Sequence, residues 1–276
     1  MAPELAYAKL NLVLHVGPPR DGGLHPVCSL FASIDLADEV TAEPLDGGED
    51  SVECAGVPGH NLAERALADF RSRRGGRGLP PLAVRIDKRI PVAAGLGGGS
   101  ADAAATLRIA NGLSDEPLAR EELLRLAADL GSDVPSQLEP QHAVVQGTGE
   151  RVDPVGLPPF AAVLLPDDQG LSTAAVYAEL DRREGWRERL DPEPLRDLAA
   201  SRSAAGLAAA LDNDLQPAAL ALRPDLQERL DALHGAGALG AAVSGSGPTC
   251  FGLFADRPAA EAAAASLPGA LVAEPR

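Results

Sequence analysis

The stretch Lys88-Arg89-Ile90-Pro91-Val92-Ala93-Ala94-Gly95-Leu96-Gly97-Gly98-Gly99-Ser100-Ala101-Asp102-Ala103-Ala104-Ala105 decides how this chain folds. Just ahead of it Leu82, Val84 and Ile86 recur with a period of two, which predicts a strand running through Lys88-Arg89 to Pro91. Behind it Ala101 to Ala110 is a run of strong helix formers that stops at Asn111-Gly112, and Ser100 stands where an N-cap hydroxyl is preferred. The order is strand, glycine loop, helix. Glycines carry no Cβ, so backbone N–H groups at Gly95, Gly97, Gly98 and Gly99 can approach phosphate oxygens, and the helix dipole adds partial positive charge. A tight strand-to-helix turn is the alternative reading. The loop is not a Walker A, because no Gly-Lys-Ser/Thr follows, and Ser100 occupies the place of the third glycine of a dinucleotide fingerprint.

A phosphate loop without its own lysine needs a cation from elsewhere. From Ala6 to Val16 the even positions are all apolar, and the odd positions carry Tyr7, Lys9, Asn11 and His15. That alternation predicts a half-buried strand whose odd face projects Lys9 and Asn11 together, out of the buried layer. Lys9 is the first candidate for the cation and Lys88 the second.

Asp133 follows a predicted helix, Leu118 to Leu130, whose apolar face is Leu123, Leu126, Ala127 and Leu130. It sits in the loop Ser132-Asp133-Val134-Pro135 after the Gly131 stop, where a carboxylate can accept the proton of an attacking hydroxyl; a turn former is the bland alternative. Asn61 opens a further helical stretch through Leu62, Ala66, Leu67 and Phe70. Four arginines at 71, 73, 74 and 77 follow it and read as solvated surface. Past residue 155 come a short strand at Ala161 to Leu165, Ala/Leu-rich helices through His234, and a second small-residue loop, Val243-Ser244-Gly245-Ser246-Gly247, before a strand from Thr249 to Phe254. A hairpin turn explains that loop as well as a ligand does.

Length and composition bound the rest. A chain of 276 residues is long for one core, which predicts two lobes, residues 1–155 and 156–276. Its 45% hydrophobic content is that of a folded protein, and its net charge of -16 repels polyanions, so nucleic acid is not an expected partner. Three scattered cysteines encode neither a disulfide framework nor a zinc site and fit a reducing, cytoplasmic compartment. The apolar run Leu5 to Val16 is broken by Lys9 and Asn11 and does not read as a leader, and no stretch reaches the length of a membrane span.

Taken together, Ala8 to Leu12, Pro91 to Ala105 and Val243 to Pro248 resemble, in order and spacing, the three motifs of the GHMP kinase superfamily. Within it the sequence most resembles the 4-diphosphocytidyl-2-C-methyl-D-erythritol kinases, with further matches at Asp21-Gly22, His25, Asn61-Leu62, Gly131 to Pro135, Gly147 to Glu150, Leu171-Ser172-Thr173 with Tyr177, and Asn213-Asp214-Leu215. The resemblance implies a two-lobed α+β fold, with an N-terminal ribosomal-S5-like nucleotide lobe and a C-terminal α/β lobe. It implies Asp133 as catalytic base and Lys9 as the group that orients the acceptor hydroxyl. Gly95, Leu96, Gly97, Gly98, Gly99 and Ser100 would hold ATP phosphates, with Lys88, Pro91 and Asn61 completing the nucleotide site. Asn11 and His25, with Asp133, would meet a cytidine diphosphate-linked methylerythritol. Mg²⁺ is implied with ATP, without an assigned ligand, and the oligomeric state is not legible. Departures cluster at the nucleobase pocket: Leu24 stands where an aromatic residue precedes the histidine, Cys28-Ser29 replaces Gln-Thr, and Ser136-Gln137 and Ala101 also differ. A GHMP kinase for another hydroxyl acceptor and a non-catalytic nucleotide- or metabolite-binding relative are the alternatives.

Overall fold

The computed structural model describes residues 2–20, 22–57, 61–73, 75, 78–200 and 203–276. Asp21 of the Asp21-Gly22 match and the arginines at 74 and 77 lie outside the described residues. The described chain is a mixed α and β structure in two compact units, and it crosses between them several times. One unit holds Met1–Ala8, Leu36–Val92 and Gly97–Pro140, and the other holds Lys9–Asp35, Ala93–Leu96 and Gln141–Arg276.

The first unit takes the opening residues of β1 (Glu4–Val16) and the second half of β2 (Val27–Pro44). It adds β3 (Ser51–Cys54), α1 (Leu62–Arg73), β4 (Leu82–Asp87), α2 (Gly98–Leu113), α3 (Arg120–Leu130) and α4 (Val134–Leu138). β4 pairs antiparallel with β2, Glu39 opposite Asp87, and parallel with β3. Asn61 caps α1 by accepting the Glu64 N–H at 2.9 Å. The helix then buries Ala63, Ala66, Leu67 and Phe70, one face of a 3.6-residue period. α2 is buried on more than one face by Ala101, Ala103, Ala104, Ala105, Leu107 and Ala110, so the alanine run is the centre of the unit's core. Small side chains there let α1 and the sheet approach closely.

Several sequence expectations are corrected in this unit. β4 ends at Asp87 instead of running to Pro91, because the Arg89 and Ile90 N–H groups turn to the Asp38 carboxylate at 2.5 and 2.7 Å. Ser100 is not the N-cap of α2. Gly97, in the left-handed conformation at φ 72°, takes that position, so helical geometry begins at Gly98 and Ser100 is the third helical residue. α2 also continues through Gly112 to Leu113. Asp133 lies in the turn after Gly131 as expected, but Val134 and Pro135, read as part of that loop, already belong to the one-turn helix α4, of which Asp133 is the N-cap residue. Arg71 is not solvated surface: it grips Asp50 through two nitrogens, at 2.6 and 2.7 Å, and donates to Leu79 O.

The second unit contains the remainder of β1 and β2, then β5 (Ala143–Gly147), β6 (Arg151–Pro154), β7 (Ala161–Leu165), α5 (Thr173–Arg183), α6 (Glu193–Ala199), α7 (Ala204–Ala209) and β8 (Asp212–Asn213). They are followed by α8 (Gln216–Leu222), α9 (Leu226–Gly235), β9 (Gly240–Val243), β10 (Cys250–Phe254), α10 (Arg257–Ala264) and β11 (Leu271–Ala273). One antiparallel sheet has the order β11-β7-β10-β9, and its apolar face packs with α5, α8, α9 and α10 around Val163, Val176, Leu230 and Phe254. β9 and β10 form a hairpin, Val243 opposite Cys250, so Ser244 to Thr249 is its connection. β8 pairs parallel with β1, Asn213 opposite Leu14, while β5 pairs antiparallel with β2. The expected alternation of β1 is half right. The even positions are buried, but Lys9 and Asn11 on the odd face are buried too, at 5% and 2% exposure, because this part of the strand is covered on both faces.

Candidate active site

In the second unit three distant sequence segments meet at one place. β1 supplies Lys9 and Asn11, adjacent on the same face because alternate strand residues share it. The Lys9 ammonium donates to Asn11 Oδ1 at 2.5 Å and lies 4.8 Å from the centre of the Phe31 ring. Asn11 Nδ2 donates to Ser29 Oγ at 2.9 Å, and that hydroxyl donates to Val13 O. Both ends of the asparagine amide are thus engaged, which fixes its orientation and presents its oxygen to the lysine. Ser29, one of the departures seen in the sequence, closes this chain of bonds.

The start of the glycine loop, Ala93 to Leu96, packs against the same strand. Leu96 O accepts the Lys9 backbone N–H at 3.0 Å, and Ser244 Oγ donates to Gly95 O at 3.1 Å. Gly95 has φ 75°, and a Cβ there would stand 2.4 Å from Ser244 O and 2.9 Å from Gly247 O. No other residue fits without moving backbone. The β9–β10 connection reaches equally far in the other direction: a Cβ on Gly245 would lie 3.2 Å from Asn11 Oδ1 and 3.6 Å from Lys9 Nζ. Asn213 holds that connection in place by donating from Nδ2 to Val243 O and Gly245 O, both at 2.8 Å, and Thr173 Oγ1 bonds Ser246 Oγ at 2.9 Å. The hairpin reading of Val243 to Gly247 is therefore correct, and the same hairpin is packed against the Lys9–Asn11 pair.

The remainder of the glycine loop belongs to the first unit. Ala101 N bonds Gly97 O at 2.9 Å, so the preceding N–H groups of Gly98, Gly99 and Ser100 have no partner within the helix, as at any helix start. Gly98 is hemmed in, its Cβ position 3.0 Å from Ile90 and 3.3 Å from Lys88 Nζ. Gly99 has open space around its Cβ position and an ordinary backbone conformation, so packing does not explain why it is glycine. A helical glycine costs about 0.5–1 kcal/mol relative to alanine, a penalty that close approach of an anion to the backbone would justify.

Lys88 is placed beside this loop but is already committed. Its ammonium is bonded to Asp38 at 2.5 Å and to Asp102 at 2.7 Å, with only 12% of the side chain exposed. Burial raises the Asp102 carboxyl to about 7 against the opposing pull of Lys88, and Asp102 Oδ1 is buried with no hydrogen-bond partner. The two carboxylates raise the Lys88 pKa despite its own burial. Lys88 thus ties the segment just after β4 to β2 and α2, and it acts on the loop through position. Sequence reasoning missed Asp38 and Asp102, whose signal was an acid inside an otherwise apolar strand and another inside an alanine run. Pro91 leads into the loop and Asn61 is engaged as a helix cap. Asp133, half-buried, precedes α4 in the first unit, with Ser136 Oγ donating to its carbonyl at 2.8 Å.

His25 lies in the second unit, its Nδ1 2.8 Å from Gly17 O. The carbonyl can only accept, so Nδ1 carries the proton. Nε2 faces Asp181 Oδ1 at 3.1 Å outside hydrogen-bond alignment. Tyr177 lies with its ring centre 5.2 Å from the imidazole and Trp186 with its ring centre 6.3 Å away. Leu24 is 65% exposed. Among the described residues no group of three or more His, Cys, Asp or Glu could hold a metal ion, and no helix is long and apolar enough to cross a membrane.

Comparison with known proteins matches residues 61–139 to the GHMP kinases N terminal domain and residues 192–273 to the GHMP kinases C terminal domain. The 4-diphosphocytidyl-2-C-methyl-D-erythritol kinase of Streptomyces avermitilis is 44% identical over 94% of this chain and 90% of its own. The chain is a GHMP kinase of the 4-diphosphocytidyl-2-C-methyl-D-erythritol kinase family. The protein of that name from Rhodococcus jostii is also 44% identical, over 96% of this chain and 88% of its own. A crystal structure of 4-(cytidine 5'-diphospho)-2C-methyl-D-erythritol kinase superposes with a TM-score of 0.83 at 33% identity, covering 99% of this chain and 98% of that one. The mevalonate kinase of L. major in complex with R-mevalonate, at 14% identity and a TM-score of 0.72, shares the fold over 100% of this chain and 96% of its own. For a GHMP kinase of this family, the meeting of β1, Ala93–Leu96 and the β9–β10 hairpin brings together parts of three motifs that the sequence holds far apart.

Proposed function

We propose that this enzyme transfers the γ-phosphoryl group of ATP to the 2-hydroxyl of 4-diphosphocytidyl-2-C-methyl-D-erythritol, in non-mevalonate isoprenoid precursor synthesis in the cytosol. The observation that carries the reading is the buried Lys9–Asn11 pair against Gly95 and Gly245, in a chain 44% identical to kinases of that name over nearly its whole length. In the reaction the acceptor O–H gives its proton to the Asp133 carboxylate while its oxygen bonds the γ-phosphorus. The bond from phosphorus to the β–γ bridging oxygen breaks, and ADP leaves. Little covalent work falls to the protein, so catalysis is positioning and charge stabilisation. The backbone N–H groups from Gly95 to Ser100 hold the phosphates. Lys9, fixed by Asn11, orients the hydroxyl and stabilises developing charge. Asn61 is assigned to the adenine, and His25 with Asn11 to the acceptor.

Mg²⁺ belongs to this scheme as the ion of the nucleotide complex. Such an ion usually keeps several waters and is bound through one or two carboxylates together with the phosphates. Bound with the nucleotide, it would supply positive charge against the phosphates, and no side chain is assigned to it.

A panel of acceptors tests the reading: the cytidine diphosphate-linked methylerythritol, homoserine, mevalonate and a hexose, each with ATP. ADP release with the first and not the others supports it. Release only with another acceptor moves the enzyme elsewhere in the superfamily, and release with none leaves a binding protein.

A further inference from the structure

The surroundings of His25 hold an aromatic ring that the family motifs do not account for. Trp186 is the only tryptophan in the chain. It is half-buried, its ring tilted 46° to the imidazole of His25, which Tyr177 flanks at 40°. Its position is set from both sides in the chain. Before it α5 stops at Glu184, in the left-handed conformation, and the Gly185 N–H returns to Leu180 O at 3.1 Å. After it the Arg187 N–H bonds Val16 O at 2.7 Å, and the Arg187 guanidinium grips Asp214 through two nitrogens at 2.8–3.0 Å. Asp214 in turn accepts the Val16 N–H, so Trp186 is tied to the end of β1, one residue from the Gly17 carbonyl that holds His25. Leu24, next to His25 in the chain, points no π-face anywhere and is largely exposed.

We propose that Trp186 is a wall of the nucleobase pocket, the aromatic face on which the pyrimidine ring of the acceptor packs in place of a side chain at position 24. The inference rests on the cytidine diphosphate acceptor proposed above. Every base has a π-face that stacks on an indole, and loss of one such platform weakens binding by roughly tenfold or more. The Gly185 and Arg187 bonds hold the backbone on both sides of Trp186, so less freedom is lost at that position when the base arrives than on a mobile loop.

Because the chain has a single tryptophan, its emission reports on this pocket alone. Titration of the wild-type enzyme with cytidine diphosphate is expected to give a saturable change in tryptophan fluorescence, and a non-hydrolysable ATP analogue a much smaller one. Trp186→Ala is expected to raise the KM for the acceptor at least about tenfold, leave the KM for ATP within twofold, and be largely rescued by Trp186→Phe. Emission indifferent to cytidine diphosphate at concentrations that saturate turnover overturns the proposal. So does a Trp186→Ala enzyme with an unchanged acceptor KM, or one in which both KM values rise and thermal stability falls together, the signature of a structural wedge. If the wild type responds to cytidine diphosphate but does not phosphorylate the methylerythritol acceptor, the pocket stands and the assigned reaction fails.

Discussion

The Lys9 ammonium donates to Asn11 Oδ1 from a strand face where both residues are almost wholly buried. A buried ammonium is costly unless it is partnered, and this one is kept beside Gly245, where a Cβ would be tightly packed, 3.6 Å from Lys9 Nζ and 3.2 Å from Asn11 Oδ1. Stability alone does not ask for a lysine there. Lys9→Met, which keeps the length and removes the charge, is expected to lower kcat by about 10²–10³ with the KM for ATP nearly unchanged and the melting temperature not reduced. A variant within tenfold of wild-type kcat contradicts the role given to Lys9.

Gly95 and Gly99 separate packing from phosphate binding. Gly95→Ala forces a left-handed alanine, costing about 1–2 kcal/mol, and overlaps Ser244 O as well, so both thermal stability and activity are expected to fall. Gly99→Ala has free space and replaces a helical glycine, so it is expected to raise stability by about 0.5–1 kcal/mol while weakening ATP. Thermal melts beside ATP titrations check the pair. A Gly99→Ala enzyme with unchanged ATP affinity means that its backbone does not meet the nucleotide.

Asp133 is expected to act on chemistry and not on nucleotide binding. Asp133→Asn keeps the shape of the N-cap of α4 and removes the base, for an expected loss of about 10²–10⁴ in kcat with ATP affinity retained. Single-turnover kinetics and ATP titration on the same sample distinguish this from misfolding. Near-normal turnover would reassign the base.

The Lys88–Asp38–Asp102 cluster carries a pH signature. Burial, opposed by Lys88, places the folded-state pKa of Asp102 at about 7, above its ordinary 3.8. The folded protein therefore binds more protons than the unfolded chain in this window, and the stability contribution present below about 4 is lost as pH rises through about 7. Asp102→Asn removes that dependence while preserving the shape. Urea midpoints are expected to show wild type losing ground to the variant between pH 4.5 and pH 7.5. A difference that stays constant across that range contradicts the assignment.

Much of this was legible because local chemistry and fold agreed. The alternation of Ala6 to Val16, the run of helix formers after the glycines, and the short apolar run Ala161 to Leu165 each carry their signal in the residues themselves. The motif resemblance supplied the acceptor and the family. What stayed hidden depends on partners distant in sequence. Nothing near Lys9 tells that its face is covered, since that needs Phe31 and the hairpin at Gly245. Ser100 looks like an N-cap until Gly97 adopts a left-handed turn and starts the helix three residues early. Lys88 looks like a free phosphate ligand until Asp38 arrives from 50 residues upstream. The long β2 strand escaped because Asp35, Asp38 and Glu39 interrupt its apolar pattern.

The arrangement at the acceptor is tested most directly by a crystal structure of the enzyme with a non-hydrolysable ATP analogue and the cytidine diphosphate-linked methylerythritol. The expected result has the β- and γ-phosphates within hydrogen-bond reach of the backbone N–H groups of Gly97 to Ser100, and the acceptor 2-hydroxyl between the Lys9 ammonium and the Asp133 carboxylate. Phosphates bound away from the start of α2, or an acceptor hydroxyl that reaches neither Lys9 nor Asp133, contradicts the account.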